Sequence, residues 1–178
     1  MSPLIFSLTS IALGILCCLL GVIGYLMING ILTVPWVRTS GSISRKMLTC
    51  GGFKAGDRVL DLGCGDGAII HEAVKMGGTG VGLERLRLLV LYARFLATTK
   101  GTSDRAQFSV SDILKDPLPE TDIITCYLFP EVNKRLEPRL QELFPSGTRV
   151  VSRDFTFPNL RLLSIEDYQS TKIYLYEI

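Results

Sequence analysis

Residues 59–67 combine glycines and carboxylates in the pattern of a ligand-binding turn. The segment Val59-Leu-Asp-Leu-Gly-Cys-Gly-Asp-Gly67 starts as a short apolar strand and ends where a helix is predicted. Its glycines let the backbone turn tightly and let a ligand approach the main chain. The loop also holds Asp61 and Asp66, whose negative charge would repel the pyrophosphate of a dinucleotide. The G-x-G-x-G spacing disfavours NAD as well, because the dinucleotide fingerprint is G-x-G-x-x-G.

Two more acids follow the next predicted strands. Glu84 ends the second strand, seventeen residues beyond Gly67, where a carboxylate can accept hydrogen bonds from both hydroxyls of a ribose. Asp112 follows the third strand and is placed to accept from an adenine amino group. Acids at three successive strand ends suit a nucleoside cofactor that carries an ammonium and a sulfonium, and S-adenosylmethionine is such a cofactor. The predicted cofactor-binding residues are Asp61, Gly63, Cys64, Gly65, Asp66, Glu84 and Asp112.

These motifs resemble those of class I, seven-β-strand S-adenosylmethionine-dependent methyltransferases. More narrowly, the chain resembles a small family of lysine N-methyltransferases that act on the ATP synthase c subunit and the adenine nucleotide translocase, with bacterial relatives. Besides the glycine loop, the resemblance rests on three segments and covers about residues 33–178: Val34-Pro-Trp-Val-Arg-Thr39, Tyr127-Leu-Phe-Pro130 and Arg149-Val-Val-Ser-Arg-Asp-Phe155. It implies a methyltransferase that takes lysine in a protein, and those enzymes also carry an N-terminal membrane segment.

Three positions depart from that family's pattern. The family usually has Ser where this chain has Cys64, a basic residue where it has Ala68, and Pro where it has Arg38. Cofactor binding should survive these changes, whereas the family's substrate need not carry over.

The methyl acceptor is expected after the fourth strand, around Cys126-Tyr-Leu-Phe-Pro130, with Tyr127 as the catalytic candidate. Tyr127 could accept a hydrogen bond from an amine or pack against the methyl group, and a buried strand aromatic is the alternative interpretation. Because an unperturbed lysine has a pKa of about 10.4, a dry site beside a sulfonium would favour the neutral amine, and no dedicated base is required. The enzymes that methylate adenine N6 or glutamine have [DN]-P-P-[YF] here, so nucleic acid is not expected as a partner.

Apolar strands alternate with helices along residues 58–154, which predicts an α/β, Rossmann-like doubly wound sheet. A closing hairpin at residues 160–177 would give seven strands with an antiparallel edge strand. A helix over residues 42–50 is expected to be capped by Ser42 or Ser44. In residues 130–144, Pro138 is expected to interrupt the helix and start a second helical piece.

The first 32 residues are predicted to be a transmembrane anchor, and residues 33–178 the methyltransferase domain. No Asp, Glu, Lys or Arg precedes Arg38, and Leu4–Leu32 exceeds the roughly 20 apolar residues that a membrane-spanning helix needs. A hydrophobic helix buried in an oligomer is the alternative. Arg38, Arg45 and Lys46 follow the span, so the domain is expected to face the cytoplasm, or the matrix of a mitochondrion.

Composition limits the remaining function classes. The net charge of +2 is too small to indicate a nucleic-acid partner, and five cysteines without metal-ligand spacing indicate reduced thiols and no metal. His71 is the single histidine and a poor candidate for a base. The resemblance implies a protein substrate and the apolar first 32 residues imply a membrane, so the expected partners are a membrane and a protein substrate within it. A lipid or quinone methyltransferase and a non-catalytic S-adenosylmethionine sensor remain as alternatives.

Overall fold

The computed structural model describes residues 3–32 and 37–178, with side chains for residues 9–25 and 37–178. The chain divides into two compact units, residues 1–36 and 37–178. The first unit contains one helix, α1 (Pro3–Leu32). Within the part of the chain that is described, a search for helices both long and apolar enough to cross a bilayer finds none. The three residues Val34-Pro-Trp36 of the motif quoted above lie outside the described residues.

The second unit alternates strands and helices as the sequence predicts. Its helices are α2 (Gly41–Cys50), α3 (Ala68–Lys75), α4 (Arg87–Thr99) and α5 (Pro130–Leu143). Its strands are β1 (Arg58–Leu62), β2 (Thr79–Glu84), β3 (Ala106–Val110), β4 (Ile123–Cys126), β5 (Arg149–Arg153), β6 (Arg161–Tyr168) and β7 (Thr171–Glu177).

The seven strands form one sheet in the order β3-β2-β1-β4-β5-β7-β6. The five strands from β3 to β5 are parallel, and β7 pairs antiparallel with both β5 and β6. The predicted Rossmann-like sheet with an antiparallel edge is therefore confirmed. Strand order reverses between β1 and β4, because β2 and β3 lie on one side of β1 and β4 and β5 on the other. In sheets of this kind ligands bind outside the carboxyl ends of the strands at that point.

Apolar side chains are buried on both faces of this sheet. Right-handed crossovers place α3 and α4 on one face and α5 on the other. The first face is packed by α2 and α3, whose side chains Met47, Leu48 and Ile70 are fully buried. On the second face, Leu136 and Leu140 of α5 are equally buried. Both faces of the central strands are thus covered, which explains why every residue of β1 and β4 except Arg58 is buried.

Two local predictions were wrong. Ser40, not Ser42 or Ser44, caps α2, because its extended backbone lets its side chain accept from the Ile43 amide. Helix α5 runs through Pro138 without a break. Pro138 and Lys134, whose carbonyl loses its helical hydrogen bond, both lie on the exposed side, where water can satisfy that carbonyl.

A buried carboxylate joins α5 to the segment that leads into β6. Glu137 is 2% exposed and accepts hydrogen bonds from the Asn159 amide, the Asn159 side chain and the Leu160 amide. Asn133, one turn earlier, donates to the Thr156 carbonyl. These contacts hold a loop that has no secondary structure of its own against the helix.

Removing the Glu137 carboxylate should therefore destabilise the domain. We expect Glu137→Ala to lower the free energy of unfolding by about 2–4 kcal/mol, since it leaves buried donors without an acceptor. Glu142→Ala, at an exposed position of the same helix, should change it by less than about 0.5 kcal/mol. Urea denaturation followed by circular dichroism measures both. Equal effects of the two substitutions would mean that the Glu137 contacts contribute nothing.

Candidate active site

The glycine loop follows β1 directly and takes a conformation that side chains would oppose. Gly63, Gly65 and Gly67 have φ values of 80°, 55° and 78°, in the left-handed region that favours glycine. A Cβ atom added at Gly67 would also lie 2.4 Å from the Phe108 ring. The three glycines are therefore required both by backbone geometry and, at Gly67, by packing, and the loop presents its main chain at the carboxyl edge of the sheet.

Glu84 lies across this loop at the end of β2. Its two carboxylate oxygens accept hydrogen bonds from the Gly65 amide, at 3.1 Å, and from the Leu86 amide, at 2.9 Å. Each carboxylate oxygen can accept more than one hydrogen bond, so both retain capacity for a ligand's hydroxyls. The backbone contacts fix the orientation of the carboxylate at the strand end.

Asp61 is sealed beneath the loop. Its side chain is 3% exposed and accepts one hydrogen bond, at 2.8 Å, from the Thr125 hydroxyl of neighbouring β4. Burial is the main cause that raises the pKa of Asp61 to about 7. The Thr125 hydrogen bond opposes this shift, and the nearby charges of Glu84 and Asp66 add to it. Glu84 and Asp66 therefore lie close enough to Asp61 for their charges to act on it.

Cys64 and Asp112 occupy different surroundings from these acids. The Cys64 side chain is buried against Gly82 of β2, where an added Cβ would lie 2.6 Å from its sulfur. Only the main chain of Cys64 is therefore available to a ligand, and burial raises the pKa of its thiol well above the ordinary value. Asp112 is half-buried after β3 and contacts its own loop, accepting from the Leu114 amide and pairing with Lys115 at 3.7 Å.

Tyr127 lies at the end of β4 in a cluster of aromatic rings. Its ring stacks on Phe155 with centroids 5.8 Å apart, and Phe129 meets Phe155 edge-on at 5.4 Å. The Arg153 guanidinium lies 4.2 Å above the Tyr127 ring. Burial raises the pKa of Tyr127, Arg153 lowers it and Asp154 raises it, with a net upward shift. The phenol is therefore protonated at neutral pH and can orient a ligand but not act as a base.

Asp154, directly after β5, has a strained backbone. Its φ of 59° is unusual for a residue other than glycine. The carboxylate accepts hydrogen bonds from the Lys172 amide, at 2.9 Å, and from the Thr171 hydroxyl. Strain that is held in place at a strand end is typical of functional sites. Sequence reasoning missed this residue, because a positive φ has no reliable mark in a sequence.

The segment Val37–Ser40 joins the two halves of the site, and its contacts were also missed. Arg38 pairs with Asp66 through its Nε, 2.7 Å from the carboxylate, and Thr39 accepts from the Arg153 guanidinium at 3.4 Å. One short stretch therefore touches both the glycine loop and the end of β5. Arg38 occupies the position where the family described above usually has Pro. Its guanidinium neutralises the charge of Asp66.

His71 lines a cavity of about 470 Å³ on the outer side of α3, together with Arg38, Asp66, Ala68, Lys75 and Lys100. Neither ring nitrogen of His71 has a hydrogen-bond partner among the described residues. Burial, together with the charges of Lys100 and Lys75, lowers the pKa of His71 to about 4, although the charge of Asp66 acts in the opposite direction. The imidazole is consequently neutral at physiological pH.

A match to a known protein family shows to which family this chain belongs. The ANTKMT methyltransferase domain matches residues 61–164, which include the glycine loop, Glu84, Tyr127 and Asp154. The chain belongs to the ANTKMT methyltransferase-domain family. It is therefore an S-adenosylmethionine-dependent methyltransferase, as the motifs predicted.

Members and neighbours of the ANTKMT family differ in their named acceptors. A protein-lysine N-methyltransferase of Saccharolobus islandicus is 31% identical over 153 residues, which cover 82% of this chain and 94% of the relative. The human lysine N-methyltransferase of the ATP synthase c subunit is 34% identical over 64% of this chain, which spans 47% of that protein. A Salinibacter ruber structure described as an RNA methyltransferase, solved with S-adenosyl-L-homocysteine, has a TM-score of 0.77 and 34% identity over 80% of this chain and 94% of that one.

The residues of this ANTKMT-family site fit S-adenosylmethionine. The loop exposes main chain at its glycines, and the partly protonated Asp61 beneath it would be stabilised as an anion by a cationic ligand. Glu84 is oriented to accept hydrogen bonds from a ligand's hydroxyls, and Asp112 lies just after the end of β3. Within the described residues, no group of three or more His, Cys, Asp or Glu side chains could hold a metal ion.

The raised pKa of Asp61 should make cofactor binding dependent on pH. Below about 7 the carboxyl is largely protonated, so a cationic ligand must displace a proton, and affinity should rise up to tenfold per pH unit before levelling above 7. Isothermal titration of S-adenosylmethionine between about pH 5.5 and 8.5 measures this dependence. Asp61→Asn should bind more weakly at pH 8 and lack that part of the slope. The ligand's own titration is common to both proteins, and equal slopes would assign the effect elsewhere.

Proposed function

We propose that this methyltransferase transfers a methyl group to the side-chain amine of lysine in a membrane protein. The observation that carries the proposal is the wall at the ends of β4 and β5, where the rings of Tyr127, Phe129 and Phe155 form one cluster and the Asp154 carboxylate lies beside Tyr127. Phe129 and Phe155 offer ring surface that attracts an alkylammonium, and Asp154, which also pairs with Arg153 at 3.3 Å, offers the opposite charge. The names of the Saccharolobus and human relatives support the same acceptor class.

In this reaction the protein's residues would position the amine, exclude water and accept one proton. Bound S-adenosylmethionine supplies an electrophilic methyl group on a sulfonium, so the protein has to align the amine and exclude water. Such positioning contributes roughly 7–11 kcal/mol to lowering a barrier. Asp154 would accept the proton that the lysine ammonium must lose before its lone pair can attack. The Tyr127 hydroxyl, protonated at neutral pH, would orient the resulting amine.

The glycine loop and Glu84 would hold the cofactor beside this wall. Strand β1 lies between β2 and β4, and β5 adjoins β4, so all four carboxyl ends meet at one edge of the sheet. The segment Val37–Ser40, which contacts both the loop and Arg153, would close the site from the side. Exclusion of water there favours the neutral amine.

We test the acceptor with the full chain, radiolabelled S-adenosylmethionine and membrane extracts. Label should enter a protein band, and acid hydrolysis should release it as methyllysine. Asp154→Asn should lower kcat roughly 100- to 10,000-fold, because proton transfer to a positioned side chain typically contributes that much. The fold should persist, since Asn tolerates the left-handed backbone. Asp104→Asn, at an exposed loop position, is the matched control and should leave kcat unchanged.

Each other distribution of label contradicts the proposal in a specific way. Label in RNA would indicate the acceptor class named for the Salinibacter ruber protein, and label in the organic phase would indicate a lipid or quinone. Cofactor binding without transfer would indicate a sensor. Glu84→Ala should abolish labelling by weakening cofactor binding, whereas Asp154→Asn should bind the cofactor like the unaltered chain. This difference separates a failed acceptor site from a failed cofactor site.

We further propose that residues 1–32 anchor the enzyme in a membrane, with Arg38 and the domain that follows on the cytoplasmic or matrix side. The proposal is supported by the lack of charged residues before Arg38 and by Arg45 and Lys46 just beyond it. The full chain should resist extraction from membranes by carbonate, while a chain without residues 1–32 should be released. In sealed vesicles whose cytoplasmic or matrix face is on the outside, added protease should degrade residues 37–178. Protection of that domain would reverse the proposed orientation.

A further inference from the structure

Helix α4 turns its small side chains towards the sheet and its large ones away from it. Val90, Ala93 and Ala97 are buried against β2 and β3. The opposite face carries Leu88, Leu91, Tyr92 and Phe95, which are 52%, 50%, 46% and 60% exposed. These four positions follow the i, i+3, i+4, i+7 spacing, so their side chains adjoin one another along the helix. We call them the outer stripe of α4.

The outer stripe is more apolar than a solvated helix face requires. Single exposed leucines are common on protein surfaces, but four large apolar side chains in one continuous row mark an interaction surface. None of the described residues covers this row, because every member keeps about half of its surface exposed. The stripe therefore lacks an occupant within the described chain.

The charges around the stripe are all positive. Between Glu84 and Asp104 the chain has no acidic residue, while Arg85, Arg87, Arg94 and Lys100 fall in or beside α4. Arg94 donates to the Phe108 carbonyl, and Arg85 and Arg87 are exposed and form no ion pair with any described residue. Amphipathic helices that lie in a membrane interface combine leucine and aromatic rings on one face with arginine or lysine beside them.

We propose that the outer stripe of α4 docks into the surface of a bilayer that contains anionic lipids. Leu88, Leu91 and Phe95 would enter the boundary between headgroups and acyl chains, and Tyr92 suits the headgroup level. Arg85 and Arg87 would lie among the lipid phosphates, where each cation strengthens binding to an anionic leaflet.

Two other occupants fit the observations less well. A symmetric dimer through this face would bring the two sets of cations together without an acid to pair them. Nucleic acid would pair with the arginines but would leave the aliphatic centre of the stripe, Leu88 and Leu91, without an apolar partner. A bilayer surface satisfies both the charge and the apolar row.

Docking through α4 goes beyond the proposed reaction and does not require α1 to span the membrane. Helix α4 begins three residues after Glu84, so the docked helix would hold the cofactor-binding edge of the sheet next to the lipid surface. A methyl acceptor embedded in that membrane would then be reached without leaving it.

Lipid contact at a defined position tests the proposal. The full chain carries one tryptophan, so Leu91→Trp in a Trp36→Phe background gives a single fluorophore on the stripe. Leu162→Trp in the same background, on β6 at the far end of the sheet and 47% exposed, is the matched control. Each protein is mixed with vesicles of phosphatidylcholine alone or with phosphatidylglycerol, with or without bromine on the acyl chains. Phe95→Trp replaces Leu91→Trp if that variant fails to fold, as judged by circular dichroism.

Brominated vesicles that contain phosphatidylglycerol should quench the fluorescence of the Leu91→Trp protein about twofold, because an interfacial helix buries its apolar face at the acyl boundary. The fluorescence of the Leu162→Trp protein should remain nearly unchanged. Quenching should weaken at high salt and on Arg87→Glu. Equal quenching of the two proteins, or none of the stripe fluorophore, would overturn the proposal. So would shielding of the stripe fluorophore that depends on protein concentration or on added RNA rather than on lipid. Methyl transfer measured on the same samples reports separately on the proposed reaction.

Discussion

The site is organised around one carboxyl group that water cannot reach. Asp61 lies under the glycine loop with a single hydrogen bond from Thr125, and burial brings its pKa to about 7. An isolated buried carboxylate is unfavourable, so the free protein keeps this group partly protonated. A cationic ligand above the loop supplies the missing charge. The loop conformation, the packing of Gly67 on Phe108 and the contact from Glu84 to Gly65 all serve to hold main chain over that group.

The second half of the site depends on the same edge of the sheet. Because β4 and β5 end beside β1, the rings of Tyr127 and Phe155 and the carboxylate of Asp154 lie on the side of the loop away from Glu84. Arg153 joins these halves indirectly, through its position over Tyr127 and its contact with Thr39. The residues proposed for the cofactor and for the acceptor therefore come from different strands whose spacing is fixed by backbone pairing. The precision of the site comes from the sheet and not from the loops.

Much of this arrangement was predictable from the sequence. The glycine loop and the acids Glu84 and Asp112 stand at strand ends, and the alternation of apolar strands and helices placed those ends at one edge. Contacts between distant segments were not predictable, such as Arg38 with Asp66 or Thr39 with Arg153, because no periodicity encodes them. The apolar outer face of α4 became evident only from the exposure of its side chains in the structure. Pro138 shows that the packing of buried helix residues on either side of it, Leu136 and Leu140, can outweigh the tendency of proline to break a helix.

The position of β7 has a consequence for folding during synthesis. It is the last strand of the sheet, yet it lies between β5 and β6 and is hydrogen-bonded to both. Until residue 177 has left the ribosome, the edge of β5 is open and β6 has no neighbour. Val150 and Val151, fully buried in the finished sheet, would then border an unpaired strand edge, which is where nascent chains aggregate. The parallel half can form early, whereas the sheet is completed only after β7 has been synthesised and has paired with both β5 and β6.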